Sequence, residues 1–231
     1  MTSQLFQDFN ERSKEVSKYF VFLKSLEQGS IKLSMEGMIG KSKVRKINPD
    51  LEKTLKASGF LLLYNLVEST MRNAIEAIFE ELSSKRISFD EVRPEIKKII
   101  LKNIKNRDSD KILLSITNIS LDIINAGFDK EKLFSGNIDA KLIKDTALNY
   151  GFSCRTECIK TGNGSDLLTI KSNRNDLAHG VKSFAEVGKA QTADDFLKIK
   201  NKVVKYLKQI LINIETYLAN KEYLCCSIDT L

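Results

Sequence analysis

One histidine, two prolines and four cysteines are all that 231 residues provide of those three types, and each scarcity excludes something. With eleven glycines beside so few prolines, the chain reads neither as disordered nor as all-β. With a single histidine, a zinc site would need all four thiols, Cys154, Cys158, Cys225 and Cys226. Their spacing, C-x3-C and a distant adjacent pair, does not match usual zinc spacings, so free reduced thiols are expected. The start carries no apolar run of the signal-peptide kind, and the densest apolar run, Gly59 to Val67, is too short to span a membrane. A cytoplasmic location is the expectation. No repeat period and no low-complexity tract appears.

What is present supports a sizeable core. Hydrophobic residues make up 42% of the chain, and its length suits one large domain or one domain with an insertion. The net charge of +7 favours a polyanionic partner such as RNA.

Hydrophobic periodicity predicts four long helices. Residues 4–27 repeat Leu5, Phe9, Val16, Phe20, Leu23 and Leu26 at helical spacing, and Gly29 ends the run. Residues 29–50 are basic, with Lys41, Lys43, Arg45 and Lys46, and Pro49 is read as a breaker, so an exposed loop or short hairpin is expected. Residues 51–84 carry the stripe Leu55, Leu63, Val67, Met71, Ala74, Ile78 and Leu82. The part from Phe60 to Val67 is so apolar that burial on all sides is expected. Glu68 and Arg72 stand four apart on this helix in the order that favours an ion pair.

Residues 85–164 read as a helical insertion. Pro94 opens a helix over Glu95 to Lys105, a second runs from Ser109 to Ala126, and Asn137 is expected to cap a third over Ile138 to Tyr150, closed by Gly151. Phe152 to Gly164 is left as a short strand or irregular loop. Residues 165–180 form the next long helix, with Ser165 or Asp166 at its N-cap, and residues 181–192 a loop. The last helix, residues 192–224, starts at Thr192, with Asp195 completing a capping box, and carries Phe196, Ile199, Val203, Leu207, Ile210, Ile214 and Leu218. Residues 225–231 read as a frayed tail. The expected fold is all-α, an antiparallel four-helix core with the insertion between its second and third helices, in one domain over 1–231.

The chemistry converges on Arg174-Asn175-Asp176-Leu177-Ala178-His179-Gly180, which holds the only histidine. Histidine is the side chain whose ordinary pKa lies nearest neutrality, so it can accept and donate a proton there. Arginine is permanently charged, with a planar fork of donors that suits phosphate oxygens. The two together can cleave RNA without a metal: the ribose 2′-OH attacks its own phosphate, His179 moves a proton and Arg174 stabilises phosphoryl charge. A competing reading is an ordinary helix C-terminus, with the histidine near the dipole and Gly180 as the left-handed cap. No spacing gathers Asp and Glu with His179 into a metal site, and no signature of a cysteine nucleophile surrounds the thiols.

This string resembles the R-x4-6-H motif of HEPN domains (higher eukaryotes and prokaryotes nucleotide-binding), many of which are metal-independent ribonucleases. The run Leu168 to Gly180, with Ser183-Phe184-Ala185-Glu186-Val187-Gly188 after it and Phe134-Ser135-Gly136-Asn137-Ile138-Asp139 before it, is similar to the MAE-type HEPN-like branch. The resemblance implies a HEPN four-helix bundle and an RNA endonuclease of the toxin or antiphage kind. It implies Arg174 and His179 as catalytic residues, with Asn175 as the polar residue that habitually follows the arginine. Asp176 and Glu68 are the expected supporting carboxylates, Glu68 in competition with Tyr64, Asn65 and Arg72 for the position facing the motif. Lys171 and Arg72 are expected to contact RNA. No cofactor and no metal are implied. The expected partners are the RNA, an antitoxin or defence-system protein, and a second copy of the chain, since one chain offers a single histidine while in-line cleavage gains from both a base for the 2′-OH and an acid for the leaving oxygen; the rival is a monomer in which His179 acts alone. The alternative within the family is a non-catalytic helical module that binds nucleotide, RNA or protein.

Overall fold

In the computed structural model the described residues are 3–36, 42–105, 119–130 and 133–225. Among them, every regular element except one hairpin is helical, so the all-α expectation holds. The order is α1 (Gln4–Glu27), β1 (Leu33–Glu36), β2 (Ser42–Arg45), α2 (Pro49–Ser84), α3 (Pro94–Lys105), α4 (Ile119–Ala126), α5 (Ala140–Tyr150), α6 (Cys158–Thr161), a 3-10 turn (Gly162–Gly164), α7 (Asp166–Ala178), α8 (Phe184–Lys189) and α9 (Ala193–Ala219). The frayed-tail expectation and most of the helix expected from Ser109 fall outside the described residues. The chain forms two compact units, one from Met1–Val67 with Glu157–Tyr206, the other from Glu68–Thr156 with Leu207–Leu231.

The first unit is built on an aromatic cluster. Phe20 of α1 stacks on Phe196 of α9 at 5.4 Å between ring centroids, and Phe60 of α2 meets Phe196 edge-on at 4.8 Å. Gly59 makes this possible: a Cβ there would lie 2.7 Å from the Phe20 ring. Polar contacts set the helix directions. Along α1, Ser17, Lys24 and Glu27 meet Lys200, Asp194 and the Ala193 amide in turn, so α1 and α9 run antiparallel. Glu27 also pairs with Lys56, and Tyr19 donates to the Leu55 carbonyl at 2.5 Å, which ties α1 to the start of α2. The hairpin pairs Leu33 with Arg45 and Met35 with Lys43.

The second unit buries Ile75, Ile78, Phe79 and Leu82 of α2, together with Ile96, Ile100, Ile143, Tyr150, Phe152, Leu207, Leu211, Ile214 and Tyr217, and Phe79 meets Tyr150 edge-on at 6.2 Å. The Tyr217 hydroxyl donates to the Tyr150 carbonyl at 2.7 Å, and burial pushes both phenols well above their ordinary pKa.

Several local expectations are corrected. Pro49 opens α2 rather than only breaking the chain: it lacks the N–H that a first helical turn leaves unused, and the Asn48 side chain caps the Asp50 amide at 2.8 Å. The stretch Phe60 to Val67 is not buried on all sides, since Asn65 is exposed and Leu61 and Leu62 are half-buried. Asp139, not Asn137, caps α5, accepting from the Leu142 amide at 2.9 Å from an extended backbone, while Gly151 closes the helix at φ +88 as expected. The segment after Phe152 contains a helical turn, not a strand. Residues 181–192 are not all loop: Ser183 and Glu186 form a reciprocal capping box that starts α8. The Thr192–Asp195 box at α9 is present, with Thr192 Oγ1 donating to Asp195 at 2.7 Å.

Candidate functional site

The site lies at the C-terminal end of α7 in the first unit. This helix is reached through a 3-10 turn, so Ser165 already has helical dihedrals and its side chain makes no capping bond. That departs from the expected side-chain cap; the Ser165 amide donates instead to the Gly162 carbonyl at 3.0 Å. Leu167, Ile170 and Leu177 are the buried residues of α7. Arg174 falls on that same row, four residues after Ile170 and three before Leu177, so the helix turns its arginine towards the core. Lys171, Asn175 and His179 fall on the adjacent row at intervals of four.

This placement explains what Arg174 meets. Its guanidinium lies over the ring of Tyr64 on α2, 4.5 Å from the centroid. Tyr64 is 1% exposed, so the cation rests on a fixed, desolvated ring face. The Arg174 Nη1 also donates to the Asn175 Oδ1 at 2.9 Å. These two contacts, with a ring face and an amide oxygen, hold the guanidinium's plane.

His179 is the C-cap of α7, with φ −97 and ψ 2, and its N–H donates to the Asn175 carbonyl at 2.9 Å. Gly180 follows at φ +67. The Val181 amide donates to the Asp176 carbonyl at 2.8 Å and the Gly180 amide to the Leu177 carbonyl at 3.4 Å, which is the Schellman pattern. A Cβ at Gly180 would meet nothing within 4 Å, so the glycine is there for its left-handed backbone and not for space. The His179 side chain is exposed and makes no hydrogen bond or ion pair with a described residue.

Asp176 secures the turn. Its carbonyl accepts from Val181 and Lys182, and its carboxylate pairs with Lys182 Nζ at 2.6 Å. The Lys182 contact went unread in the sequence; a lysine six positions on carries no helical signal, because the pairing crosses the end of the helix. Tyr64, named from the sequence only as one competitor for the position facing the motif, is the α2 residue in contact with Arg174.

Lys171 is half-buried on α7. Glu68 and Arg72 belong to the second unit, where they bind each other at 2.6 Å, and Arg72 also donates to the Lys130 carbonyl at 2.7 Å. That is the intrahelical ion pair their spacing suggested. Among the described residues no group of three His, Cys, Asp or Glu side chains could hold a metal ion, and no helix is long and apolar enough to cross a membrane. Cys154, Cys158 and Cys225 are free thiols; Cys226 lies outside the described residues.

Compared with known proteins, the chain matches the family model of MAE_28990-like HEPN proteins over residues 1–223. No curated protein and no solved structure matches it significantly.

Proposed function

The chain belongs to the MAE-type HEPN family, and from that premise we propose that it is a metal-independent RNA endonuclease acting through Arg174 and His179. HEPN domains are often ribonucleases; the specific assignment rests on the motif. The observation that carries it is the arrangement at the end of α7: a guanidinium seated on the Tyr64 ring and bonded to Asn175, and one turn on an exposed imidazole that makes no hydrogen bond or ion pair with a described residue. An exposed histidine fits proton transfer to a substrate better than it fits a purely structural cap.

In the proposed reaction the 2′-oxygen of the ribose bonds to the adjacent phosphorus and the P–O5′ bond breaks. One imidazole takes the 2′-OH proton and another returns a proton to the departing 5′-oxygen, leaving a cyclic phosphate and a 5′-hydroxyl. The Arg174 guanidinium stabilises the charge on the non-bridging oxygens. Asn175 holds the arginine's plane, Asp176 holds the turn that presents His179, and Lys171 takes a flanking phosphate.

Because one chain offers one histidine, the active unit in this reading is a homodimer whose twofold axis brings two copies of the motif into a single cleft. The biological role that fits such an enzyme is a toxin or antiphage effector in the cytoplasm, restrained by an antitoxin or partner protein, with residues 1–231 acting as one HEPN-like domain.

The test is cleavage of RNA by wild type, Arg174→Ala and His179→Ala with EDTA present. The reading requires the wild type to cleave and both variants to fail. Cleavage by either variant at the wild-type rate rejects the assignment and leaves the non-catalytic module. Mixing the two variants tests the composite site: if each cleft needs both copies of both residues, heterodimers recover little activity. A monomer with full specific activity in sedimentation would reject the dimer.

A further inference from the structure

The hairpin between α1 and α2 has no part in the chemistry above, yet it holds most of the chain's excess charge. Residues 30–48 contain Lys32, Lys41, Lys43, Arg45 and Lys46 against the single carboxylate Glu36, a net of +4 of the chain's +7. We propose that this hairpin is a docking arm for the phosphate backbone of the RNA substrate. The choice of ligand rests on the nuclease reading; the existence of a polyanion site rests on the following features.

First, the arm's described side chains from Lys32 to Ser34 and from Lys43 to Lys46 are all exposed. An isolated two-stranded hairpin is marginal in water, and packing does not account for the choice of these exposed residues. Second, the cations are presented together. Leu33 opposes Arg45 and Met35 opposes Lys43, so Lys43 and Arg45 share a face. The strand rise sets them about 7 Å apart, within reach of successive phosphates on an extended strand. Third, Lys32, Lys43, Arg45 and Lys46 form no ion pair with a described residue, whereas Lys24, Lys53 and Lys56 in the same unit all have carboxylate partners. Lys41 lies outside the described residues.

The arm's composition also limits what it reads. Residues 30–48 contain no aromatic side chain on which a base could stack. Contact is therefore with backbone charge, which carries no sequence information. The arm lies in the same compact unit as Arg174 and His179. It would hold RNA and DNA alike, and the choice of RNA would come only at the cleavage step, which needs the 2′-OH.

The test compares His179→Ala with the same chain also carrying Lys43→Ala, Arg45→Ala and Lys46→Ala, so that the probe stays intact. Binding of a fluorescein-labelled RNA oligonucleotide, and of DNA of the same sequence, is followed by anisotropy over a range of salt. Removing three cations should weaken RNA binding by about tenfold or more near 0.1 M salt and make the log–log salt slope shallower by about 2. DNA should lose as much, and the melting temperature should not move. Unchanged RNA affinity and slope would overturn the proposal, as would an arm that captured an acidic protein while leaving RNA binding intact. A wild-type chain that binds RNA but does not cleave it refutes the nuclease reading without touching this result, so the two failures are distinguishable.

Discussion

Arg93 in the second unit and Arg174 in the first both sit beside a helix end that finishes in a left-handed glycine, and the contacts that hold them differ in kind. Arg93 donates to the Glu95 carboxylate at 2.8 Å and to the carbonyls of Gly151 and Glu222, each at 3.4 Å. Its guanidinium fills the space over Gly151 so fully that a Cβ there would fall 1.9 Å from Nη1. Its charge is answered by a carboxylate, its donors by carbonyls just past the ends of α5 and α9. Arg174 is held by a ring face and an amide oxygen, and beyond its helix the space over Gly180 is empty. A half-buried brace gains from a carboxylate beside it, because an unpaired charge drawn away from water is costly. A group meant to meet a phosphate needs its geometry fixed, and the Tyr64 ring and Asn175 supply that for Arg174.

The largest effects should separate the two arginines. Arg174→Ala and His179→Ala should each cost at least ~100-fold in RNA cleavage rate with little change in melting temperature. Arg93→Ala should do the reverse, keeping the activity of the folded fraction while lowering stability by about 1–3 kcal/mol, read by urea titration. An Arg93 variant that was inactive but normally stable would break the contrast.

Tyr64 sharpens it. Tyr64→Phe keeps an aromatic face under the guanidinium and should stay within a few-fold of wild type; Tyr64→Leu removes it and should lower the cleavage rate by roughly tenfold, in line with about 1–2 kcal/mol for a desolvated cation–π contact. Equal activity in the two variants, at matched folded fractions, would show that the ring does not position Arg174.

Gly180→Ala should cost about 1 kcal/mol of stability through its left-handed backbone, with a loss of cleavage because the turn that presents His179 shifts. No loss of stability would contradict the cap geometry.

The smallest effect is acid sensitivity of the helix starts. Hydrogen bonds from Thr192 hold the Asp195 carboxyl below the usual carboxylate range, and those from Ser183 do the same for Glu186. A depressed carboxyl stabilises the fold above its unfolded pKa, and that contribution is lost as pH falls through the folded value. Thr192→Ala should therefore lower the melting temperature near neutral pH and have less effect in strong acid. A pH-independent difference would show that the box does not titrate as described.

Long periodic stripes made the helices legible: α1 runs Gln4–Glu27, as its apolar spacing requires, and the bounds of α2 depart from expectation only by starting at Pro49. The α8 turn was overlooked although Ser183-x-x-Glu186 is a capping signal in plain view, because six residues carry too little periodicity to register. Asp139 displaced Asn137 as a cap because two good capping residues stood close together and only the backbone chooses between them. At the site, the sequence supplied Arg174, His179 and the Gly180 cap. It could not rank Tyr64 above Asn65 or Arg72, since that depends on which way α2 faces, nor foresee the Lys182–Asp176 pair across the helix end.

The central claim is that Arg174 and His179 cleave RNA through its own 2′-hydroxyl, with no metal. It is tested most directly with an RNA cut at one position, prepared again with a single 2′-deoxyribose at that position, each incubated with the wild-type chain in EDTA. The account predicts cleavage of the all-ribose strand, with cyclic phosphate and 5′-hydroxyl ends, and none at the deoxy position. Cutting at the deoxy position, or loss of all cutting on adding EDTA, would contradict it.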